Sequence, residues 1–231
     1  MSGLFPVDKL STLESVPSLQ IIRPVYKPTL NVGRTTTQGN RDLRADAARS
    51  KYGLSGRGVK VGVLSDSYNN LGGTAAGVAS NDLPRGGVEV LDDLPSGGID
   101  EGCSMAEILH DVAPGAAIAF HTAFLGQADF AQGIEDLQAA GCQAIVDDVV
   151  YFDEPFFQDG IIAQAAQNVV AKGASYLSSA SNQAQQSYEA VFRNSKTSVP
   201  GITGEAHSFA PGDVRQSITV GPGRGLLLAL Q

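Results

Sequence analysis

The sequence predicts an α/β fold, a doubly wound parallel sheet, with the start of a β-rich insertion at the C-terminal end. Three observations carry this expectation. Short β-branched runs recur through the middle of the chain, as strands buried on both faces require. Helical stretches alternate with those runs, and glycines close the helices where the chain must return sharply to the sheet. After Asn182 the alternation stops and turn-forming clusters take over.

Taken in order, residues 1–45 are mixed, and "RPVYKPTLNVG" reads as extended, proline-punctuated chain. "GVKVGVLSDS" is the first buried strand, ending in small polar residues at Asp66. "GVEVL" (87–91) is a second strand, "DEGCSMAEILHDVA" a helix, and "AAIAFHTA" (116–123) a third strand. "ADFAQGIEDLQAAG" (128–141) is an amphipathic helix closed by Gly141. "QAIVDDVVY" is a fourth strand, "DGIIAQAAQNVVAKG" a helix ending at Gly173, and "ASYLSSASN" a fifth strand. Beyond it, "RQSITV" and "LLLAL" around "GPGRG" read as the opening hairpin of a β-rich insertion. The expected organisation is an N-terminal extension over 1–45, a core over 46–195 and the insertion from 196 to 231. The apolar ending "GRGLLLALQ" carries no cap or polar tail, which predicts a cut from a longer protein.

Composition narrows the function classes. A net charge of −8 argues against nucleic acid as a partner, because phosphate neutralisation needs a basic face. It also argues against an anionic membrane surface, and no apolar run approaches the ~18 residues of a membrane span. The start, "MSGLFPVDKL", lacks the charged-then-apolar pattern of a signal peptide. Cys103 and Cys142 form neither a disulfide framework nor a CxxC metal site and are expected to be buried free thiols. Nothing in the spacing specifies a cofactor or a metal, and no GxGxxG or P-loop motif supports nucleotide binding.

In doubly wound sheets, sites form at the carboxyl ends of the strands. Asp66 and Asn182 both fall at such ends, although either could be an ordinary turn residue. The helix from Glu101 has Met105, Ile108, Leu109 and Val112 at i, i+3, i+4, i+7 spacing, a stripe expected to face the core. At roughly 100° per residue, Glu101 lies about 40° from that stripe's centre and His110 about 140° away. His110 is therefore expected on the solvated side, and Glu101 inward at the helix N-terminus, where the macrodipole favours a carboxylate. Asp147 and Asp148 are adjacent in a strand and must point to opposite faces, so one enters a helix-covered layer.

Together these stretches resemble the subtilase superfamily, the subtilisin-like serine peptidases. "GRGVKVGVLSDS" is similar to the block that ends in the catalytic aspartate, which implies that role for Asp66. "EGCSMAEILHDVAPGAAIAFHTA" is similar to the block in which a histidine opens the helix; here Glu101 holds that position. "YLSSASN" is similar to the strand ending in the oxyanion-hole asparagine, which implies Asn182, with Ser181 where the family has glycine. "IVDDVVYF" is similar to the strand beside the substrate, which implies that Val150 and Tyr151 line the cleft. "VPSLQIIRPVYKP" is similar to the end of a subtilase propeptide. The sedolisin branch of the superfamily uses a Ser-Glu-Asp arrangement, with an aspartate four residues after the glutamate, where this chain has Met105. The resemblance implies a bacterial protein, and Glu-bearing subtilase-like sequences of this kind often carry a β-rich insertion before the serine block.

What the resemblance implies is a serine endopeptidase acting on polypeptides and exported from the cell, with no cofactor. Glu101 would serve as general base and Asp66 would orient it or share its proton. The glycine-threonine-serine nucleophile block is absent. "KTSVPG" around Ser198 echoes it, but its proline is too close and no helical pattern follows. The serine is thus expected beyond residue 231, and the 231-residue chain is expected to be inactive. An unperturbed glutamate titrates near 4.3, so an optimum more acidic than a histidine enzyme's is expected. The alternatives are an inactive subtilase-like domain used as a binding module, and a doubly wound ligand-binding domain related by fold alone.

Overall fold

The computed structural model describes residues 6, 9, 29–30, 38–182, 187–201, 203–223 and 225. Its elements are β1 (Thr29–Leu30), α1 (Gly39–Asp42), α2 (Ala45–Tyr52), β2 (Lys60–Ser65), α3 (Thr74–Ser80), β3 (Glu89–Asp92) and α4 (Glu101–Val112). They continue with β4 (Ala117–Thr122), α5 (Gln127–Ala139), β5 (Ala144–Asp147), β6 (Val149–Val150), α6 (Ile161–Ala171) and β7 (Ser175–Ser178). The chain divides into two compact units, the first ending at Ser181 and the second spanning Asn182–Leu230.

In the first unit five strands form one sheet in the order β3-β4-β2-β5-β7, with every pairing parallel. Parallel neighbours need crossovers, and α4, α5 and α6 supply those between β3 and β4, β4 and β5, and β5 and β7. The alternation of side chains along β2 separates two cores. Val63 packs with Cys103, Ala106, Ile118 and Phe120 on the α4 face. Leu64 packs with Ile134, Leu137, Ile145 and Val169 beneath α5 and α6. Helices thus cover both faces, as expected of a doubly wound sheet. Gly141 (φ +90) and Gly173 (φ +96) follow α5 and α6 in the left-handed conformation that stops a helix.

Two departures from the sequence reading have local causes. The stretch "QAIVDDVVY" is broken at Asp148 into two strands in different sheets. The Asp147 carboxylate accepts hydrogen bonds from Ser178 Oγ (2.9 Å) and from Val149 N (3.3 Å). A backbone N–H taken by a side chain two residues back is lost to the strand ladder, so the chain turns out of the sheet. β6 then pairs antiparallel with β1, Thr29 opposite Val150 and Leu30 opposite Val149.

The second unit holds, among its described residues, only isolated bridges, Asn194 with His207 and Ala210 with Asp213. The strand expected over "RQSITV" is irregular chain, and "LLLAL" lies outside the described residues, as does "VPSLQIIRPVYKP". An aromatic cluster of Tyr188, Phe192, His207 and Phe209 organises the unit instead. Among the described residues no helix is long and apolar enough to cross a membrane.

Candidate active site

Asp66 is the first residue after β2, at the carboxyl edge of the sheet, and is 1% exposed. Its carboxylate accepts the backbone N–H of Ile99 and, at 3.0 Å, that of Glu101. Ser67 Oγ lies at 3.2 Å from it. The hydroxyl's single hydrogen is better placed toward Asp100 Oδ1 at 2.7 Å. Asp66 therefore acts on the start of α4, gripping the two backbone amides on either side of the helix cap.

The cap itself, Asp100, sits at φ +57, a left-handed conformation costly for a non-glycine residue. Its carboxylate offsets that cost by accepting Asn70 N and Leu71 N, both at 2.7 Å. Ser67 and Asp100 were not singled out by the sequence reading. Both are polar residues beside expected site residues, and only the folded loop shows that each holds the other.

The helix phase differs from expectation. The buried residues of α4 are Gly102, Cys103, Ala106 and His110, whereas Ile108 is 38% exposed. Small residues set this face: a Cβ on Gly102 would stand 2.3 Å from the Phe120 ring, so glycine lets the helix lie against the sheet. His110, four residues after Ala106, follows onto the same face and is 7% exposed. The expected surface histidine is a buried one. Glu101 lies about 150° from this stripe at 100° per residue, so helical phase does not turn it inward. It is half-buried because it is the first residue of the helix, tied through its own N–H to Asp66 at the sheet edge.

That position shapes its chemistry. Glu101 Oε2 is buried without a hydrogen-bond partner among the described residues. Burial first, then the negative charge of Asp148, then that of Asp66 push the Glu101 carboxyl up to about 7. Asp147 is 3% exposed and, being bonded to Ser178 and Val149, has a structural role. Among the described residues no group of three or more His, Cys, Asp or Glu could hold a metal ion.

The remaining expected site residues fall elsewhere. Tyr151 is 4% exposed; its hydroxyl donates to Ala123 O (2.7 Å) and accepts Gly126 N–H (3.2 Å), and its ring packs on Phe130. Its side chain fills the core and does not line an open cleft, because a phenol with both hydrogen-bond roles met inside is more stable there. Val150 is half-buried, its backbone paired with Thr29. Asn182 is an exposed bend residue and the first residue of the second unit. Ser181 before it has φ +61, the conformation that glycine adopts without strain, so serine retains the turn that glycine would make. Ser198 is exposed in irregular chain, with no helix after it among the described residues.

No family model and no curated protein matches the chain. Solved structures do. MycP1 from Mycobacterium smegmatis is 19% identical over 77% of this chain and 54% of its own, with a TM-score of 0.47. Fervidolysin from Fervidobacterium pennivorans, a keratinolytic enzyme related to subtilisin, is 17% identical over 68% of this chain and 29% of its own, with a TM-score of 0.44. The prenylagaramide maturation protease PagA is 16% identical over 58% of this chain and 49% of its own, with a TM-score of 0.43. The match spans about half of these proteins or less.

Proposed function

We propose that the chain is the N-terminal part of the catalytic domain of a subtilisin-like serine endopeptidase in which a glutamate replaces the usual histidine base. The observation that carries this reading is the bond from Glu101 N to Asp66. It sets the first side chain of α4 at the carboxyl end of the central strand, where doubly wound sheets place their chemistry. In the reaction a serine supplied by sequence after Gln231 attacks the peptide carbonyl while its proton passes to the Glu101 carboxylate. Glu101 then returns that proton to the amine as the C–N bond breaks, and water resolves the acyl-enzyme by the same route. Asn182 donates to the oxyanion, a contact typically worth ~3–4 kcal/mol in the transition state.

Asp66 orients Glu101 or shares its proton, and it also holds the start of α4, since each carboxylate oxygen accepts one backbone amide and keeps a second lone pair. Substrate lies along β6 by strand addition, using the backbone at Val150 and Tyr151. The antiparallel pairing of β1 with β6 supports this, since that edge accepts an extended segment; substrate would take the place that Thr29 and Leu30 hold. With Glu101 brought to about 7, the base works in the range a histidine would, and the acidic optimum of an unperturbed glutamate gives way to a rate rising near neutrality. Export from the cell goes with this reading.

The test compares two proteins on casein. The gene product that includes the sequence following Gln231 should hydrolyse it, and the 231-residue chain should not. Binding of peptides by the longer product without any hydrolysis would favour the inactive binding module instead. Hydrolysis by the 231-residue chain that is lost in Ser198→Ala would contradict the placement of the nucleophile.

A further inference from the structure

The connection that leaves β2 runs to α3, whose Val78 packs on the α4 face, while the one that leaves β5 runs to α6 on the opposite face. Adjacent strands whose connections depart to opposite faces leave a crevice between their carboxyl ends. Parallel register sets Leu64 of β2 opposite Asp147 of β5, which brings Asp148 level with Ser65, one residue before Asp66 on the other side of that crevice.

The direction of each side chain follows from alternation along β5. Ile145 belongs to the core beneath α5 and α6, Val146 packs against the α4 core, and Asp147 turns back toward Ser178 of β7. Val149 returns to the core beneath α5 and α6, so Asp148 before it falls on the α4 face, the side from which Glu101 enters. The charged groups acting on Glu101 are Asp148 from the end of β5 and Asp66 from the end of β2. Its neighbour on the helix cap, Asp100, is bonded to Ser67, Asn70 and Leu71. Asp66 accepts the amides of Ile99 and Glu101.

We propose that Asp148 is the positioning residue for the base: its carboxylate faces Glu101 across the crevice between β2 and β5 and controls when Glu101 holds a proton. This rests on the reading of Glu101 as general base. Asp66 holds the helix, and Asp148 tunes the side chain that the helix presents. The charge of Asp148 also outranks that of Asp66 among the causes that raise Glu101.

The 231-residue chain suffices for the test, because the readout is a titration and not turnover. With glutamate carboxyls labelled with carbon-13, the Glu101 signal is followed against pH. The unaltered chain should show a midpoint of about 7. Asp148→Asn should lower it by on the order of one pH unit, the effect of removing one nearby like charge. Asp148→Glu, which keeps the charge, should leave it raised. An unchanged midpoint in Asp148→Asn would overturn the proposal, and so would a fall in Asp148→Glu as large as in Asp148→Asn. If the midpoints behave as expected but the longer gene product hydrolyses nothing, the carboxyl pair stands and the peptidase reading fails. An unaltered chain titrating near 4.5 removes both.

Discussion

At the scale of single residues, Glu101 was legible as a candidate, but for a reason the fold replaces. Periodicity of large apolar side chains pointed to a stripe through Met105, Ile108, Leu109 and Val112; Met105 and Leu109 do pack half-buried on the core, but the fully buried stripe runs through Gly102, Cys103, Ala106 and His110, and Ile108 is exposed. Hydrophobic periodicity weighs large residues, and close helix–sheet contact selects small ones, so the pattern misled where packing was tightest. Titration gives a prediction with a definite sign. Between about 4.5 and about 7 the folded chain holds a proton on Glu101 that the unfolded chain has released. Stability should therefore fall as pH rises through that window. Urea unfolding at both ends of the window should show a weaker pH dependence in Glu101→Gln than in the unaltered chain; equal slopes would contradict the assignment. The slope will not vanish, because Asp147, Asp129 and Glu154 are also raised by burial. The cysteines were read correctly as buried free thiols, and burial pushes both up to about 11. Iodoacetamide should leave Cys103 and Cys142 unmodified in the native chain and modify both in denaturant.

At the scale of elements, the core strands and helices α4 to α6 could be read because each pairs a periodic apolar face with a clear glycine or polar stop. Helices α1 and α2 bury no residue and so offered no stripe to read. The break between β5 and β6 was invisible because it depends on one carboxylate capturing Val149 N, a tertiary consequence of Ser178 arriving beside Asp147. Two substitutions test how elements are held. Asp66→Ala removes the acceptor for Ile99 N and Glu101 N and should cost about 2–4 kcal/mol, with faster hydrogen exchange at those two amides than at the far end of α4. Gly133→Ala would place a Cβ 2.5 Å from His121 Nδ1, so α5 must move off the sheet at a cost of about 1–3 kcal/mol. A Gly133→Ala chain as stable as the original would show that α5 does not press on His121 as described.

At the scale of the whole molecule, alternation of strand and helix predicted the doubly wound sheet, because every connection between parallel strands must cross a face and bury one side of a helix. The second unit was less legible: its order rests on a ring cluster, Arg193 N–H donating to His207 Nδ1 at 3.0 Å, and two bridges, none of which has a periodic signature. Of the expected site, Asp66 holds the backbone N–H of Glu101, while Tyr151 belongs to the core, where its place depends on Ala123 and Gly126 from a different loop. The account as a whole stands on Glu101 acting as the base. Its most direct test is the rate of casein hydrolysis by the longer gene product, with and without Glu101→Gln, across pH. The account predicts a rising limb near pH 7 and a loss of about 10²–10⁴-fold in the variant. Hydrolysis at an undiminished rate in Glu101→Gln, with the same pH profile, would contradict it.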